Sequence, residues 1–305
     1  MHFRSEVRYR GRYAPSPTGP LHFGSLVAAV ASYLDAKRHD GEWQVRIDDL
    51  DPPRTVIGAT DDILRTLTAC GMQWDGEIVY QGQRRAAYQA ALAELGKRVH
   101  VYPCACSRRE IADSAVRGIE GPVYPGTCRN GMREASAHAY RIDTRGVTIA
   151  FDDAVQGRIE QHLENQIGDF VLYRADRVYT YQLAVAVDDA AQGITDVVRG
   201  ADLLDSTPRQ IYLLQLLNLP VPRYMHVPVA VNAAGEKLSK QTRAPAIDSQ
   251  QPIPALLAAL NFLGQQPPHD LARATITDLW AWAIAHWRRE RIPRRREFSI
   301  PRHAE

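Results

Sequence analysis

Apolar and polar positions along the chain alternate between the spacing of strands and the spacing of helices. Residues 43–47 form a short apolar-rich segment typical of a strand, and residues 56–70 carry apolar side chains at helical spacing. Residues 26–34 and 84–97 predict two more helices. Strands that alternate with helices favour a parallel sheet, in which ligands bind beyond the carboxyl ends of the strands. We therefore expect an α/β fold with its site at that edge of the sheet.

The middle of the chain has a different pattern. Short alternating segments predict antiparallel strands at 140–142, 147–151 and 158–159, as an insertion that interrupts the parallel sheet. Segments 170–174 and 178–183 predict a hairpin that follows the insertion.

The parallel arrangement is expected to resume after this hairpin. Residues 184–190 predict a helix, and residues 194–200 predict a strand. Arg199 would then lie at the end of a strand, just before a glycine, where its side chain can reach into a cleft. A further strand is predicted at 225–231.

These patterns divide the chain into four regions. The predicted boundaries are 1–100 for the first half of the α/β domain, 101–165 for the insertion, 166–247 for the second half, and 248–305 for a short C-terminal helical region. The last region contains predicted helices at 254–263 and 275–287 and then a run of arginines: Arg288, Arg289, Arg291, Arg294, Arg295 and Arg296. Such a run is either a solvated tail or a surface that contacts phosphates.

Composition narrows the class of protein. The chain has 305 residues, of which 45% are hydrophobic and 24% are charged, and its net charge is only +2. Any contact with nucleic acid must therefore come from local patches rather than from a global basic field. No apolar run is long enough to span a membrane, and residues 1–6 lack the apolar core of a signal peptide. We expect a cytoplasmic protein without a membrane partner.

A stretch rich in proline and glycine, residues 12–25, joins a predicted strand to the helix at 26–34. A strand, a tight turn and a helix present backbone N–H groups and a helix N-terminus to an anion. We expect Ser25 to be the N-cap of the helix and His22 to donate a hydrogen bond to a phosphate oxygen. The alternative is an ordinary connection between strand and helix, with a solvated histidine.

A second stretch contains two lysines that flank a serine, at Lys237, Ser239 and Lys240. A loop of this kind can close over a triphosphate and stabilise charge on the phosphoryl group that is transferred. Taken alone, the same sequence also fits a solvated surface loop.

Three of the four cysteines cluster in sequence. Cys104 and Cys106 precede Cys128 by about twenty residues, and Tyr124 lies four residues before Cys128. Thiolates favour zinc, and closed tetrahedral zinc sites are structural. Spacing alone leaves the fourth ligand open, and His100 or His138 would be the more usual choice; three free cysteines are the alternative.

Together these motifs resemble a known family. His22 to Ser25 and Lys237 to Gln241 are similar to the two signature motifs of class I aminoacyl-tRNA synthetases, and residues 12–19 and 46–54 resemble the glutamyl branch. The resemblance extends from about residue 12 to about residue 247. It implies a Rossmann-like parallel sheet with a zinc-containing insertion.

Three departures narrow the resemblance further. Ser25 stands where full-length synthetases usually carry a second histidine, and the second motif differs from the commoner Lys-Met-Ser-Lys-Ser. The chain also ends about sixty residues after that motif, without an anticodon-binding domain of the usual size. With the cysteine cluster, this combination resembles the glutamyl-Q tRNA(Asp) synthetase family, truncated paralogues of glutamyl-tRNA synthetase.

The resemblance implies an activity and its partners. Members of this family activate L-glutamate with ATP in the absence of tRNA and transfer the glutamate to queuosine in the anticodon of tRNA(Asp). Mg²⁺ is expected with ATP, one structural Zn²⁺ is expected per chain, and we expect a monomer.

The resemblance also assigns residues to these partners. The implied glutamate-binding residues are Arg12, Tyr13, Ala14, Pro15, Ser16, Asp48, Tyr181 and Arg199. The implied ATP-binding residues are His22, Gly24, Ser25 and Lys240, and His22, Lys237 and Lys240 are the implied catalytic residues. The implied zinc ligands are Cys104, Cys106, Tyr124 and Cys128.

One position departs from the family pattern. The family generally has glutamate where this chain has Asp48. A carboxylate that is one methylene shorter would pair with the substrate ammonium through water or with a closer backbone. Arg46 offers a competing partner that could neutralise Asp48 instead.

Three other functions remain compatible with the sequence. One is a truncated glutamyl-tRNA synthetase that charges a tRNA 3′ end. Another is an adenylyltransferase of related fold, which would not need the glutamyl-specific stretch that begins at Arg12. The third is an RNA-binding paralogue without catalysis, which the presence of His22 and Lys240 opposes.

Overall fold

The computed structural model describes residues 8–114, 116–131, 138–232, 235–237 and 245–299. In this part of the chain, helices cover both faces of a mostly parallel sheet, which confirms the predicted α/β fold. The helices found there are all too short or too polar to cross a membrane.

The described residues contain fourteen strands. They are β1 (Arg10–Tyr13), β2 (Glu42–Ile47), β3 (Val79–Tyr80), β4 (Val101–Cys104), β5 (Arg117–Gly118), β6 (Gly121–Pro122), β7 (Ala139–Ile142), β8 (Thr148–Asp153), β9 (Gly157–His162), β10 (Val171–Tyr173), β11 (Asp196–Gly200), β12 (Arg223–Val227), β13 (Val229–Val231) and β14 (Glu297–Ser299).

The same residues contain nine α-helices and five short 3₁₀ helices. The α-helices are α1 (Phe23–Arg38), α2 (Ala59–Ala69), α3 (Arg85–Arg98), α4 (Arg108–Ser114), α5 (Leu163–Gln166), α6 (Tyr181–Ala191), α7 (Thr207–Leu216), α8 (Pro252–Phe262) and α9 (Ile276–His286). The 3₁₀ helices are Pro52–Arg54, Gln81–Gln83, Ala201–Ser206, His269–Arg273 and Arg289–Arg291.

The main sheet has seven strands in the order β3-β2-β1-β11-β12-β8-β9. Its neighbours pair in parallel except β8 and β9, which form an antiparallel hairpin at one edge. Antiparallel strands were predicted for this segment, but the expectation that they belong to an insertion interrupting the parallel sheet is wrong for β8 and β9, which join its edge. Buried and exposed side chains alternate along β8, so the strand has one apolar face that packs on α7 while its edge pairs with β12.

A smaller antiparallel sheet, in the order β10-β7-β4, connects the cysteine-containing segment to the body of the protein. Two further pairs, β5 with β6 and β13 with β14, complete the sheets of the described residues.

Two predicted strands differ in the structure. Residues 178–183 contribute only a bridge between Tyr173 and Tyr179, and α6 already begins at Tyr181. A short segment of this kind fits either a strand or a buried helix, and here its last residue, Leu183, is buried as part of α6. The predicted strand 225–231 is divided at Pro228, which has no N–H to donate, and its two halves join different sheets.

Helix α1 is the central helix of the fold. Ten of its residues are buried, on nearly all sides of the helix, because it packs between the main sheet and helices α8 and α9. The helices predicted for the C-terminal region are thus confirmed, and they cover the helix that follows the proline- and glycine-rich turn.

Part of the arginine run is built into the fold. Arg289 donates to both oxygens of the buried Asp35 on α1, from Nε at 2.6 Å and from Nη2 at 2.7 Å. Arg296 pairs with Asp205 at 2.7 Å, and β14 pairs in parallel with β13. The run is therefore more than a solvated tail, because at least two of its arginines hold the C-terminal segment on the domain.

Candidate active site

A cavity of about 580 Å³ opens at the carboxyl ends of β1, β11 and β12. This is the edge at which parallel sheets bind ligands. Most of the residues expected at the site line it: Arg12, Tyr13, Ala14, Pro15, Ser16, His22, Gly24, Ser25, Tyr181, Arg199 and Lys237. Segments that are far apart in the sequence thus meet around one space.

The turn that follows β1 leads into the first turn of α1, beside the cavity. His22, not Ser25, is the N-cap of α1, so the predicted cap is wrong by three residues. The Ser25 backbone N–H donates to His22 Nδ1 at 3.3 Å, and Ser25 Oγ lies 2.9 Å from Nε2. Because Nδ1 accepts, Nε2 carries the proton and donates to the serine hydroxyl. The helix N-terminus and this imidazole therefore lie at the wall of the same cavity.

Lys237 is the first residue of the lysine motif at 237–241. It also lines the cavity. Its Nζ donates to Asp202 Oδ2 at 2.6 Å, and Asp202 is itself a lining residue. Lys240 lies outside the described residues. Asp202 thus holds one of the two motif lysines beside the cavity.

The chain that follows the lysine motif returns to the turn before α1. Ala246 forms a β-bridge with His22, and the Ile247 N–H donates to the Leu21 carbonyl at 3.0 Å. Described residues that follow the motif therefore border the turn that carries His22.

Arg12 belongs to a buried group of four charges. Its Nε and Nη2 donate to the two oxygens of Asp189, at 3.1 and 3.2 Å. Arg46 donates to Asp189 at 2.6 Å and to Asp48 at 2.8 Å. Burial raises the pKa of Asp189, but the two guanidinium groups outweigh burial and bring that pKa down to about 2. Two positive and two negative charges balance one another in this group.

The carboxylate of Asp48 is occupied by Arg46 and does not line the cavity. Burial raises its pKa despite the neighbouring guanidinium. The Asp48 backbone N–H donates to the Pro15 carbonyl at 3.0 Å, so the residue supports the turn through its main chain. The geometry thus corresponds to the ion-pair alternative, and Asp48, the expected partner of the ammonium, is not among the residues that line the cavity.

Arg199 is buried as deeply as Arg12 but has different partners. Its guanidinium donates to His226 Nε2 at 3.0 Å, to Thr207 Oγ1 at 2.9 Å, to Gln210 Oε1 at 2.8 Å and to the Tyr181 hydroxyl at 3.3 Å. Among the residues that the structure describes, no carboxylate pairs with it. A buried guanidinium that borders a cavity without a counter-charge is suited to bind an anionic ligand.

The three clustered cysteines meet in space. The sulfurs of Cys104, Cys106 and Cys128 all lie within 4.8 Å of one another, and those of Cys106 and Cys128 are 3.6 Å apart. The Tyr124 hydroxyl lies 3.3 Å from the Cys104 sulfur and 3.7 Å from the Cys106 sulfur. Three sulfurs and one phenol oxygen thus lie close together, and four such atoms are the number of ligands that a structural zinc site uses.

A positively charged side chain lies beside the cluster. Arg141 donates from Nε to the Cys104 sulfur at 3.3 Å, and its guanidinium lies 4.0 Å from the centre of the Tyr124 ring. In the described ranges, no histidine or carboxylate joins the three sulfurs, so neither His100 nor His138 is placed as the fourth ligand. Cys70 lies apart from the cluster and is fully buried, as is common for a cysteine that packs as a small apolar side chain.

The amino-acid sequence is similar to those of known proteins. The family model described as "tRNA synthetases class I (E and Q), catalytic domain" matches residues 8–252. A glutamyl-Q tRNA(Asp) synthetase from Aromatoleum aromaticum is 54% identical over 96% of this chain and 93% of its own length. Another, from Dechloromonas aromatica, is 57% identical over 96% of this chain and 98% of its own length.

The chain belongs to the glutamyl-Q tRNA(Asp) synthetase family, within the class I tRNA synthetases. It is thus an enzyme of the synthetase type, and membership of the class implies ATP, an amino acid and tRNA as partners. The crystal structure of a glutamate tRNA ligase from Elizabethkingia meningosepticum in complex with its amino acid shares the fold, with a TM-score of 0.78 and 21% identity. That match covers 97% of this synthetase and 68% of the ligase.

Two residues of the synthetase that shape the cavity were not predicted from the sequence. Asp189 neutralises Arg12, and Asp202 holds Lys237. The signal for Asp189 was present, since the pair Asp188 and Asp189 interrupts the apolar helix α6, and a charge buried in such a helix requires a partner. Asp202 lies in a stretch of mixed polar and apolar residues between β11 and α7 and had no comparable signal.

Proposed function

We propose that the synthetase activates L-glutamate with ATP in the absence of tRNA and transfers the glutamyl group to queuosine in the anticodon of tRNA(Asp). The observation that carries the proposal is the shared cavity, in which the His22 turn and Lys237 face Arg199 and Tyr181. Phosphate-binding groups and an uncompensated carboxylate-binding group are thus close enough for one adenylate to touch both. The names of the relatives supply the acceptor.

Arg199 and Tyr181 are proposed to bind a carboxylate of glutamate. Arg199 has no carboxylate partner in the described part of the chain, so a substrate carboxylate would provide its missing counter-charge. Arg12 and residues 13–16 would form the adjoining wall. Asp48 is not among the groups proposed to touch glutamate, because Arg46 already takes its carboxylate.

In the first step, an oxygen of the α-carboxylate of glutamate would attack the α-phosphorus of ATP. The bond to pyrophosphate breaks, and glutamyl-adenylate forms. His22, the N-terminus of α1 and Lys237 would stabilise the charge on the phosphates, and we propose the same role for Lys240. Mg²⁺ bound with ATP would supply further positive charge at the phosphates.

In the second step, a hydroxyl of the queuosine cyclopentene diol would attack the acyl carbon. The ester bond forms, AMP leaves, and the hydroxyl proton is released to solvent. No side chain of the synthetase needs to become covalently attached, since positioning and electrostatic stabilisation are sufficient for both steps.

Isotope exchange between ATP and pyrophosphate tests the first step. We expect exchange that depends on glutamate and proceeds without tRNA. Exchange only in the presence of tRNA would instead support a truncated glutamyl-tRNA synthetase, and the absence of exchange under either condition would support an RNA-binding paralogue.

Transfer of labelled glutamate tests the acceptor. We expect label on tRNA(Asp) that contains queuosine and none on the same tRNA lacking it. Nuclease digestion then locates the label, which should be in the anticodon fragment. Label in the 3′-terminal fragment would overturn the proposed acceptor.

We also propose that Cys104, Cys106, Tyr124 and Cys128 hold one structural zinc ion. The distances among three sulfurs and a phenol oxygen support this set, and Arg141 would stabilise its negative charge. When bound, the ion would fix the loop that carries Cys128 against β4.

Elemental analysis of the purified protein tests the zinc proposal. We expect about one zinc per chain, loss of zinc in Cys128→Ser, and retention in Cys70→Ala, which alters a buried cysteine outside the cluster. Tyr124→Phe should weaken zinc binding in a chelator competition, whereas His138→Gln should not. Full retention of zinc in Cys128→Ser would remove that residue from the site.

We propose that the synthetase is a monomer in solution. Light scattering during size-exclusion chromatography should give the mass of one chain, 34.1 kDa. A mass of twice this value would contradict the proposal.

A further inference from the structure

His226 lies directly behind Arg199 on the neighbouring strand of the main sheet. Arg199 and His226 are registered partners in β11 and β12, and the His226 side chain is completely buried. Its Nε2 lies 3.0 Å from Arg199 Nε, and its Nδ1 lies 2.6 Å from Asp153 Oδ2. The three residues form a continuous chain of hydrogen bonds from β8 to the cavity.

The hydrogen-bond partners determine the tautomer of this histidine. Arg199 Nε always carries a hydrogen, so His226 Nε2 must be the acceptor. The proton of the neutral ring is therefore on Nδ1, from which it is donated to Asp153. Protonation of Nε2 would set two N–H donors against each other. Burial, helped by the charge of Arg199, lowers the pKa of His226 to about 4, in agreement with a neutral ring.

Asp153 is itself held in place. Its Oδ1 accepts backbone N–H groups from Val155 at 3.0 Å and Gln156 at 2.8 Å, and the His226 backbone N–H also points to this carboxylate. The Asp153 carboxylate thus accepts hydrogen bonds from the backbone and from the imidazole. It is connected to Arg199 only through the neutral His226 ring.

The remaining edge of the Arg199 guanidinium faces Tyr181. Nε and Nη2 are used by His226, Thr207 and Gln210, whereas Nη1 has only the Tyr181 hydroxyl as an acceptor among the described residues. Nη1 carries two hydrogens, so one remains for a ligand.

We propose that His226 is a positioning residue that orients Arg199 with a neutral acceptor and thereby keeps its charge available to the substrate carboxylate. Asp153 acts with it by holding the Nδ1–H tautomer. A carboxylate at position 226 would orient the guanidinium equally well but would neutralise it, as Asp189 does for Arg12. This inference rests on the proposed function, because it assumes that Arg199 binds a carboxylate of glutamate.

A pair of double variants, His226→Glu/Asp153→Asn and His226→Gln/Asp153→Asn, tests the proposal. Both place an oxygen acceptor toward Arg199, and Asp153→Asn removes the carboxylate that would repel the introduced glutamate side chain in the first variant. The two variants differ only in the charge beside Arg199. We expect KM for glutamate in ATP–pyrophosphate exchange to be about a hundredfold higher in the first variant than in the second, with KM for ATP similar in both. Equal KM values for glutamate would overturn the proposal.

The single variant His226→Gln provides a rescue measurement, because its side-chain oxygen replaces Nε2 as an acceptor. We expect its KM for glutamate to stay within about tenfold of the wild type, while His226→Leu, which has no acceptor, should exceed this range. Equal effects of the two substitutions would show that the hydrogen bond to Arg199 does not matter.

Nitrogen NMR of the wild type labelled at histidine is independent of activity and of variant folding. We expect His226 to carry its proton on Nδ1. We also expect the ring to remain neutral at every pH near 7 at which the enzyme is folded. A proton on Nε2 would overturn the proposal. If the tautomer is as expected but the wild type shows no glutamate-dependent exchange, the proposed function fails, and the positioning of Arg199 by His226 stands.

Discussion

Arg12 and Arg199 occupy similar positions but have opposite electrostatic environments. They lie on neighbouring parallel strands, line the same cavity, and are 3% and 5% exposed. Arg12 is paired with Asp189, whereas Arg199 is held by His226, Thr207, Gln210 and Tyr181. Burial alone therefore does not distinguish an arginine that stabilises the fold from one whose charge is available to a ligand. The charge of the partners makes that distinction.

The difference has an energetic consequence. In the group that contains Arg12, Arg46, Asp48 and Asp189, removal of one charge leaves another buried without compensation, which reduces folding stability. In the described part of the chain, Arg199 has no carboxylate partner, and hydrogen bonds to neutral groups offset only part of the desolvation of its charge. An anionic ligand would supply the missing compensation, so changes at Arg199 should act mainly on binding.

The largest effect on folding is expected from Asp189→Asn. This change leaves Arg12 without its carboxylate partner and weakens the interaction with Arg46, and we expect the free energy of unfolding to fall by about 3 kcal/mol. Denaturant unfolding at neutral pH measures the change. As a control, Arg158→Ala removes one charge from the exposed pair with Asp152 and should alter stability by less than about 0.5 kcal/mol. Equal effects of the two substitutions would contradict the role of Asp189.

The same variant has a predictable dependence on pH. The folded-state pKa of Asp189 is depressed from 3.8 to about 2, so its contribution to stability is present above its unfolded pKa and is lost as the pH falls toward the folded value. Between about pH 5 and about pH 3, the wild type should lose about 1 kcal/mol through this group. The difference in stability between wild type and Asp189→Asn should shrink by that amount, and a constant difference would argue against the depressed pKa.

A smaller effect, on binding rather than folding, is expected from Arg199→Lys. A lysine keeps the charge but loses the planar arrangement of donors, and we expect KM for glutamate to rise about thirtyfold, equivalent to about 2 kcal/mol. Arg12→Lys is the matched control, because its ammonium can still pair with Asp189, and its KM for glutamate should rise less. Exchange kinetics measure both. A larger increase for Arg12→Lys would reverse the comparison between the two arginines.

The smallest effect is expected from Tyr181→Phe. This substitution removes the hydroxyl that accepts from Arg199 at 3.3 Å and changes little else at the cavity wall. The loss of one hydrogen bond of this kind is worth about 1 kcal/mol, so KM for glutamate should rise about fivefold while stability stays nearly unchanged. Calorimetric titration with glutamate provides a second measurement. An unchanged affinity would remove the tyrosine hydroxyl from the binding site.

Local sequence was sufficient for most elements but not for their partners. Helix α1 follows from the run of apolar residues at 26–34, and β2 follows from the segment that contains Trp43. The prediction for 178–183 is wrong, because a short segment that mixes apolar, aromatic and polar residues fits either a strand or the start of α6. The place of the β8–β9 hairpin depends on its contact with β12, which is about seventy residues away and leaves no trace in the local pattern.

The sequence by itself determined the family, the α/β class and the residue types available for the site. The short motif that contains His22, the short motif that contains Lys237 and the cysteine spacing can each be recognised from neighbouring residues alone. Only the tertiary structure decided that Asp48 pairs with Arg46, that Asp189 neutralises Arg12, and that Arg199 donates to His226 rather than to a carboxylate of the described residues. The physical reason is that a buried charge takes its properties from whichever groups lie within a few ångströms, and here those groups come from distant parts of the chain.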